Sequence, residues 1–346
     1  LIMSYTTVNK STDYFNTKLW NGNSSTQAIT GIGFAPDWVW GKQRTGTENH
    51  QVLDIIRGAN NILSTNADTG NVADSQILNS FDSDGFTLGN QNQLNDTGAT
   101  YVGWSWKANG AGSANTDGSI NTVKTSANTT SGFSISKFVG TGSNATVGHG
   151  LGVAPKMIIV KSLNSGNWSV YHGSLGGTKA MFLDLTGTVA THIDYWNNTD
   201  PTSSVFSIGT SSNMNHNGQD MIAYCFAEVQ GFSKMSSYTG NGNADGTFIY
   251  TGFKPAWIMT RATDIGGGTD WYVFDSKRPA YNLTNLELQP NNSGIESSDI
   301  QLDILSNGFK PKGTQGGHNG SGNNYIYLAF AEAPLVGTNN VPATAR

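Results

Sequence analysis

Few residues in this chain of 346 could do covalent chemistry, and their spacing argues against most of it. The single cysteine, Cys225, lies in MIAYCFAE with no base beside it in sequence, so nothing marks it as a nucleophile. His50, His149, His172, His192, His216 and His318 never fall at HxH or HExxH spacing, so no zinc pattern emerges. DSDG at Asp82 to Gly85 could open a calcium loop, but TLGNQNQL supplies no further ligands in register, and a turn before FTL is the better reading. Glu228 and Glu332 occupy one position in two copies of a repeat, so they do not form the facing pair that glycoside hydrolysis needs. No GxSxG elbow, Walker loop or nucleotide-binding βαβ unit is present, and no cofactor is expected.

Non-covalent recognition is better served. In YWNNTDP, the rings of Tyr195 and Trp196 could stack on a sugar while the amides of Asn197 and Asn198 hydrogen-bond its hydroxyls. This loop is the candidate glycan-binding site, beside the Asn-x-x-Gly loops at Asn95, Asn215 and Asn319. Lys42, Lys161 and Arg261 each stand six residues after a repeated proline. A cation kept in every copy reads as structural, pairing with a carboxylate such as Asp54 or Asp275.

The scaffold that must position these groups is repetitive. GFAPDWVW, GVAPKMIIVK and GFKPAWIMTR share a glycine, a proline three residues on, and an apolar run. YVGWSWKA, MIAYCFAE and YIYLAFAE follow at a distance, opening at Tyr101, Met221 and Tyr325. Asn95, Asn215 and Asn319 stand six residues before these openings; Gly98, Gly218 and Gly322 three before; Gly89, Gly209 and Gly313 twelve before. HQVLD, WSVYH and WYVFD lie between the blocks. Constant offsets in three copies indicate an internal repeat. Short β-branched and aromatic runs between Gly, Asn, Asp and Ser clusters predict strands, without helical periodicity.

The expected fold is therefore all-β: three tandem β-sandwich, jelly-roll-like repeats at 13–108, 132–229 and 232–333. Residues 1–12 form an N-terminal arm, 109–131 a polar linker, and 334–346 a C-terminal tail. Val102, Trp104 and Trp106 share one face of their strand, and Gly103 and Ser105 the other. The large face is expected to fill the space between the two sheets of each sandwich, and the small face to lie under a loop or a neighbouring repeat. Each repeat is expected to fold alone.

Composition narrows the partners. Charged residues make up 12% of the chain and the formal charge is -5, without a basic run, which argues against nucleic-acid binding. No apolar run approaches the ~18 residues of a membrane span, and LIMSYTTVNKSTDY has no secretory-signal pattern. One cysteine excludes an internal disulfide, as in a chain made in a reducing cytoplasm.

SYTTVNKSTDYFNTKLWNGN, SFDSDGFTLG, YVGWSWKANG, GHGLGVAPKMIIVK and AYCFAEVQGFSKMSSYTGNG together resemble a family of virion proteins of marine bacteriophages. These phages infect cyanobacteria and pelagic bacteria, and the proteins carry tail-fibre or structural labels. The resemblance spans nearly the whole chain. It implies a non-enzymatic virion protein, made in the host cytoplasm, whose partners are other virion proteins and a host surface glycan or protein, with a homo-oligomer open. The expected role is a tail fibre or receptor-binding appendage. A capsid-surface fibre or decoration protein is the alternative, and a polysaccharide depolymerase is disfavoured.

Overall fold

The computed structural model describes residues 6–265, 268–279 and 281–334. The fold is all-β, and no helix among the described residues exceeds four residues. None is long and apolar enough to cross a membrane. The tail expected at 334–346 lies, beyond Pro334, outside the described residues.

One order of antiparallel pairing recurs three times. Phe15–Asn21 pairs with Thr100–Trp106, which pairs with Trp38–Gln43, which pairs with Gln51–Asp54. The second set runs Phe133–Val139, Asp220–Phe226, Met157–Ser162, Ser169–His172, and the third Ser233–Thr239, Asn324–Pro334, Phe253–Ala262, Trp271–Asp275. Each set faces a smaller sheet, built on Gln27–Thr30 with Gly85–Leu88, Ala145–Gly148 with Val205–Ile208, or Ile249–Tyr250 with Gly308–Lys312. The repeated turns form as their residues require: Gly33, Gly152 and Gly252 have φ of +94°, +73° and +86°, a region glycine enters without steric cost.

The two faces of the central strands are used in the opposite sense to that expected. The large face does not look into its own sandwich. It packs the three large sheets against one another in a single apolar core containing Trp38, Trp104, Trp106, Ile159, Tyr224, Phe226, Trp257 and Phe330. Trp106, Phe226 and Phe330 are the sixth residues of their blocks, and their rings form a triangle with centroids 6.5, 6.0 and 5.6 Å apart. The small face looks into the sandwich because the second layer comes close there. A Cβ on Gly103 would sit 2.8 Å from the ring of Trp20, which folds over it from the neighbouring strand, and 3.8 Å from Phe86 of the smaller sheet, and one on Gly41 2.7 Å from Leu94. Three sheets converging on one axis leave a wide gap that large side chains fill, whereas sheet and second layer within one sandwich leave a narrow one.

Polar contacts between successive repeats close the ring. The Tyr224 hydroxyl donates to Asp54 at 2.8 Å, His172 Nε2 lies 3.2 Å from the Tyr327 carbonyl oxygen, and Trp104 Nε1 donates to Asp275 at 3.0 Å. Asp54, His172 and Asp275 are the last residues of HQVLD, WSVYH and WYVFD. Indole donors add a second set: Trp168 Nε1 reaches the Ser64 carbonyl at 2.9 Å, and Trp271 Nε1 that of Phe182 at 2.8 Å. Between the third and first repeats, Thr65 Oγ1 donates to the Pro290 carbonyl at 2.7 Å and Arg44 pairs with Glu296 at 2.8 Å.

The segment expected to be a linker is not a free tether. Within 109–131, Lys124–Asn128 pairs antiparallel with Phe133–Val139 as an edge strand of the second large sheet. Its polar residues find partners, with hydroxyls running from Thr122 to Thr125 to Ser136 at 2.9 and 3.0 Å. The expected N-terminal arm is also packed where it is described, with Val8 fully buried.

The repeated asparagines are buried clamps, not recognition loops. Asn215 Nδ2 donates to the carbonyls of Ser143 and Gly209 at 2.7 and 2.6 Å, and its Oδ1 accepts from the Thr141 amide at 2.7 Å. Asn95 and Asn319 bind the carbonyls of Gly89 and Gly313 in the same way. That bond explains the constant six-residue gap between glycine and asparagine. Gly98, Gly218 and Gly322 turn the chain beyond it at φ of +86°, +72° and +76°. Asn215→Ala orphans buried partners and is expected to cost on the order of 1–3 kcal/mol in a urea melt. His216→Ala, next door and exposed, should stay within about 0.5 kcal/mol. Equal losses at the two positions would remove the clamp role.

Candidate surface-binding site

Strand alternation places Ile249 inward against Phe309, as Ile29 meets Phe86 and Val147 meets Phe206. Its neighbours face the other way. In the first repeat these are Ala28 and Thr30, in the second Thr146 and Gly148, and in the third Phe248 and Tyr250. Phe248 is 45% exposed and Tyr250 60%. With Tyr281, 86% exposed, they are the only highly exposed aromatic rings among the described residues, in a chain whose nine tryptophans are all buried.

Two shallow depressions lie on the third repeat, one reaching Gly252 and the other Lys254. One, of about 420 Å³, is lined by Tyr250, Gly252, Gln230, Ser233, Glu228 and Lys234. The other, of about 210 Å³, is lined by Tyr281, Lys254, Ser276, Thr284, Pro279 and Ile304. Asn282 fixes the rim of the smaller one, donating to the Ile304 carbonyl at 2.7 Å and accepting from its amide at 3.0 Å. Each depression contains a lysine already paired with a carboxylate, Lys234 with Glu228 at 3.3 Å and Lys254 with Glu332 at 2.7 Å. The arrangement offers ring faces and hydroxyl and amide groups in open concavities, suited to non-covalent binding of an extended ligand.

The family model that matches the chain is described as "Domain of unknown function (DUF7483)" and covers residues 10–334. The chain belongs to this family. No curated protein matches it.

The rings of the sugar-binding loop expected at Tyr195 to Asn198 are buried in this DUF7483 chain, while Asn198 is exposed. Tyr195 and Trp196 are 7% and 1% exposed. Their rings pack edge-on against Phe182 and Tyr171, inside the second sandwich, so neither offers a face to a sugar. Asn197 and Asn198 turn the chain at φ of 51° and 50°. Asn197 caps the short helix Ile193–Trp196.

The repeated cations are structural, but their partners are carbonyls. Lys42 Nζ donates to Gln43 and Gly46, Lys161 Nζ to Ser162 and Asp68, and Arg261 Nη2 to Gly187. Burial pulls both lysines down to about 8 and Arg261 to about 10. Asp54 and Asp275, the carboxylates expected to pair with them, instead hold Arg57 and Arg278 three residues on, at 2.5 and 2.6 Å. Asp84 of DSDG accepts from the amides of Gly31 and Gly33 at 2.9 and 2.7 Å, bracing the turn. Cys225 is buried, and burial pushes its thiol far up, away from thiolate chemistry.

The Phe248 and Tyr250 site was legible through one signal: rings at outward positions where the other two copies carry Ala, Thr or Gly. Tyr281 sits in a stretch of the third repeat that the other copies do not share, and internal comparison gives no handle on it.

The ring contacts carry a pH dependence. Nδ1 of His172 accepts from the Ser174 amide at 3.2 Å, so the neutral ring's Nε2–H donates to Tyr327. Burial lowers His172 from 6.5 to about 4. The unfolded chain binds this proton first, so the stability from His172 is intact above pH 6.5 and is lost as pH falls towards 4. The loss amounts to on the order of 3 kcal/mol. Glu287 and Asp184, raised by burial to about 7 and about 6, act in the opposite sense. Comparing the parent with His172→Gln at each pH cancels them. The parent should lose more stability between pH 7 and pH 4, and parallel curves would contradict the burial argument.

Proposed function

We propose that the chain is a non-enzymatic structural protein of a bacteriophage virion, a tail-fibre or receptor-binding component that contacts the host surface. The exposed rings of Phe248, Tyr250 and Tyr281 carry this reading: the third repeat displays aromatic rings to solvent, and the described residues of the other two copies expose none. The ring of three sheets supports it, because a single shared core holds such a corner rigidly. The resemblance of the sequence phrases to marine phage virion proteins points the same way.

The test is immunogold labelling of purified virions of the encoding phage. Label at the tail is expected. Label over the shell would transfer the role to a capsid decoration protein, and unlabelled virions would overturn the virion reading. Release of reducing ends from host surface polysaccharide by the purified protein would overturn the non-enzymatic part.

A further inference from the structure

We infer that the corner formed by Tyr250, Tyr281 and residues 252–254 binds a neutral, hexose-based polysaccharide. The inference rests on the surface-contact reading above and adds the ligand class. Three observations lead to it.

The first is the internal comparison. The strand Ile249–Tyr250 is built on the same inward contact in all three repeats, so the fold needs only its central residue. The flanking rings of the third copy are surplus to folding and remain in water, where each leaves its apolar face uncovered. The C–H face of a pyranose ring covers a phenol ring while its hydroxyls stay hydrated. A buried protein segment would instead have to desolvate the paired lysines and glutamates.

The second is charge. Both lysines of the corner are neutralised by their own carboxylates, Glu228 and Glu332. Among the residues lining the two depressions no unpaired lysine remains to attract an acidic polymer, and the exposed Lys277 lines neither. Neutral hexoses, recognised by stacking and hydroxyl hydrogen bonds, fit this balance.

The third is an unused hydroxyl. Ser276 lines the depression beside Tyr281, and its Oγ is buried without a hydrogen-bond partner. Buried polar atoms rarely go unpaired, and a rotation about χ1 of Ser276 would bring this one towards the depression the residue lines, where a ligand hydroxyl could pair with it. The two depressions reach Gly252 and Lys254, two residues apart in the chain, with one ring in each. Successive sugars of a chain can occupy both, which favours a polymer over a monosaccharide.

The experiment is native affinity electrophoresis of the full chain through gels cast with dextran, galactomannan or a β-1,3-glucan, and with alginate as the acidic control. Retardation by at least one neutral polymer and none by alginate is expected. Tyr250→Ala and Tyr281→Ala should each raise the dissociation constant about tenfold. Thr30→Ala, at the matching position of the first repeat, should leave it unchanged. Circular dichroism confirms that these surface variants fold. Passage through all neutral gels without retardation, retention unaffected by both tyrosine variants, or retention by alginate alone would each overturn the inference. So would a dimer in sedimentation velocity that Tyr250→Ala dissolves, which would assign the corner to a second copy. Immunogold labelling fails or succeeds independently of these gels, so the ligand class and the virion role can fall separately.

Discussion

Replacing Trp106 with alanine is expected to destabilise the whole chain by about 3–5 kcal/mol, the range for truncating a large core aromatic. Trp106 is 1% exposed. Its ring lies 4.5 Å from Trp38 in its own repeat, and 5.5 and 5.6 Å from Trp257 and Phe330 in the third. Alanine would leave a cavity where three sheets meet, and no single sheet can relax to fill it without leaving the other two. With total stabilities of about 5–15 kcal/mol for folded domains, the variant would lose a large fraction of its margin. Trp106→Phe keeps a ring and removes an indole N–H that is buried without a partner, so its loss should be much smaller. Cys225→Ala, in the second sandwich, should cost about 1 kcal/mol or less. Urea melts followed by fluorescence and by circular dichroism give the three values. A Trp106→Ala loss no larger than that of Cys225→Ala would remove Trp106 from the centre of the core.

The parts of the fold legible in the sequence are those where geometry demands a residue type. Gly98, Gly218 and Gly322 must accept positive φ, and Asn95, Asn215 and Asn319 must both donate and accept at fixed points, so the copies keep them in place. Layer assignment was not legible. Alternation along YVGWSWKA shows two apolar faces but not which one meets a neighbouring sheet. Size misled, because the wide gap lies between the repeats and the narrow one within each sandwich. Composition misled at 109–131, where small polar residues form a strand because the second sheet has an edge to pair with. Asp54 and Asp275 were assigned to the wrong cations although the signal was local: an arginine stands three residues after each, at Arg57 and Arg278. For a binding surface, aromatic-plus-amide composition pointed to Tyr195 and Trp196, whose rings the second sandwich needs. The exposed Phe248 and Tyr250 went unread, although rings at outward positions where the sister repeats carry Ala, Thr or Gly were the available signal.

Excising the first repeat should abolish the monomeric fold of the remainder. The fragment 132–334 would expose the faces of Trp38's partners, with Phe133, Tyr224 and Phe226 losing rings stacked or tilted at 5.6, 4.9 and 5.8 Å. Transferring that apolar surface to water costs roughly 25 cal/mol per Å². The cut also strands buried donors. Trp168 Nε1 loses the carbonyls of Ser64 and Ala67, and the Tyr224 hydroxyl loses Asp54. Each orphaned group adds on the order of 1–3 kcal/mol. The expected product aggregates or shows no cooperative melt. A nick is a different perturbation, because it breaks the chain and leaves every contact. Residues 111–114 are exposed, so a protease should cut there first. The two pieces should then co-elute in size exclusion and melt in one transition near that of the intact chain. A nicked chain that separates, or a fragment 132–334 that melts cooperatively as a monomer, would show that each repeat carries its own core and that the shared one is dispensable. The structure argues otherwise, because Trp38, Trp106, Phe226, Tyr224, Trp257 and Phe330 are spent on contacts between repeats.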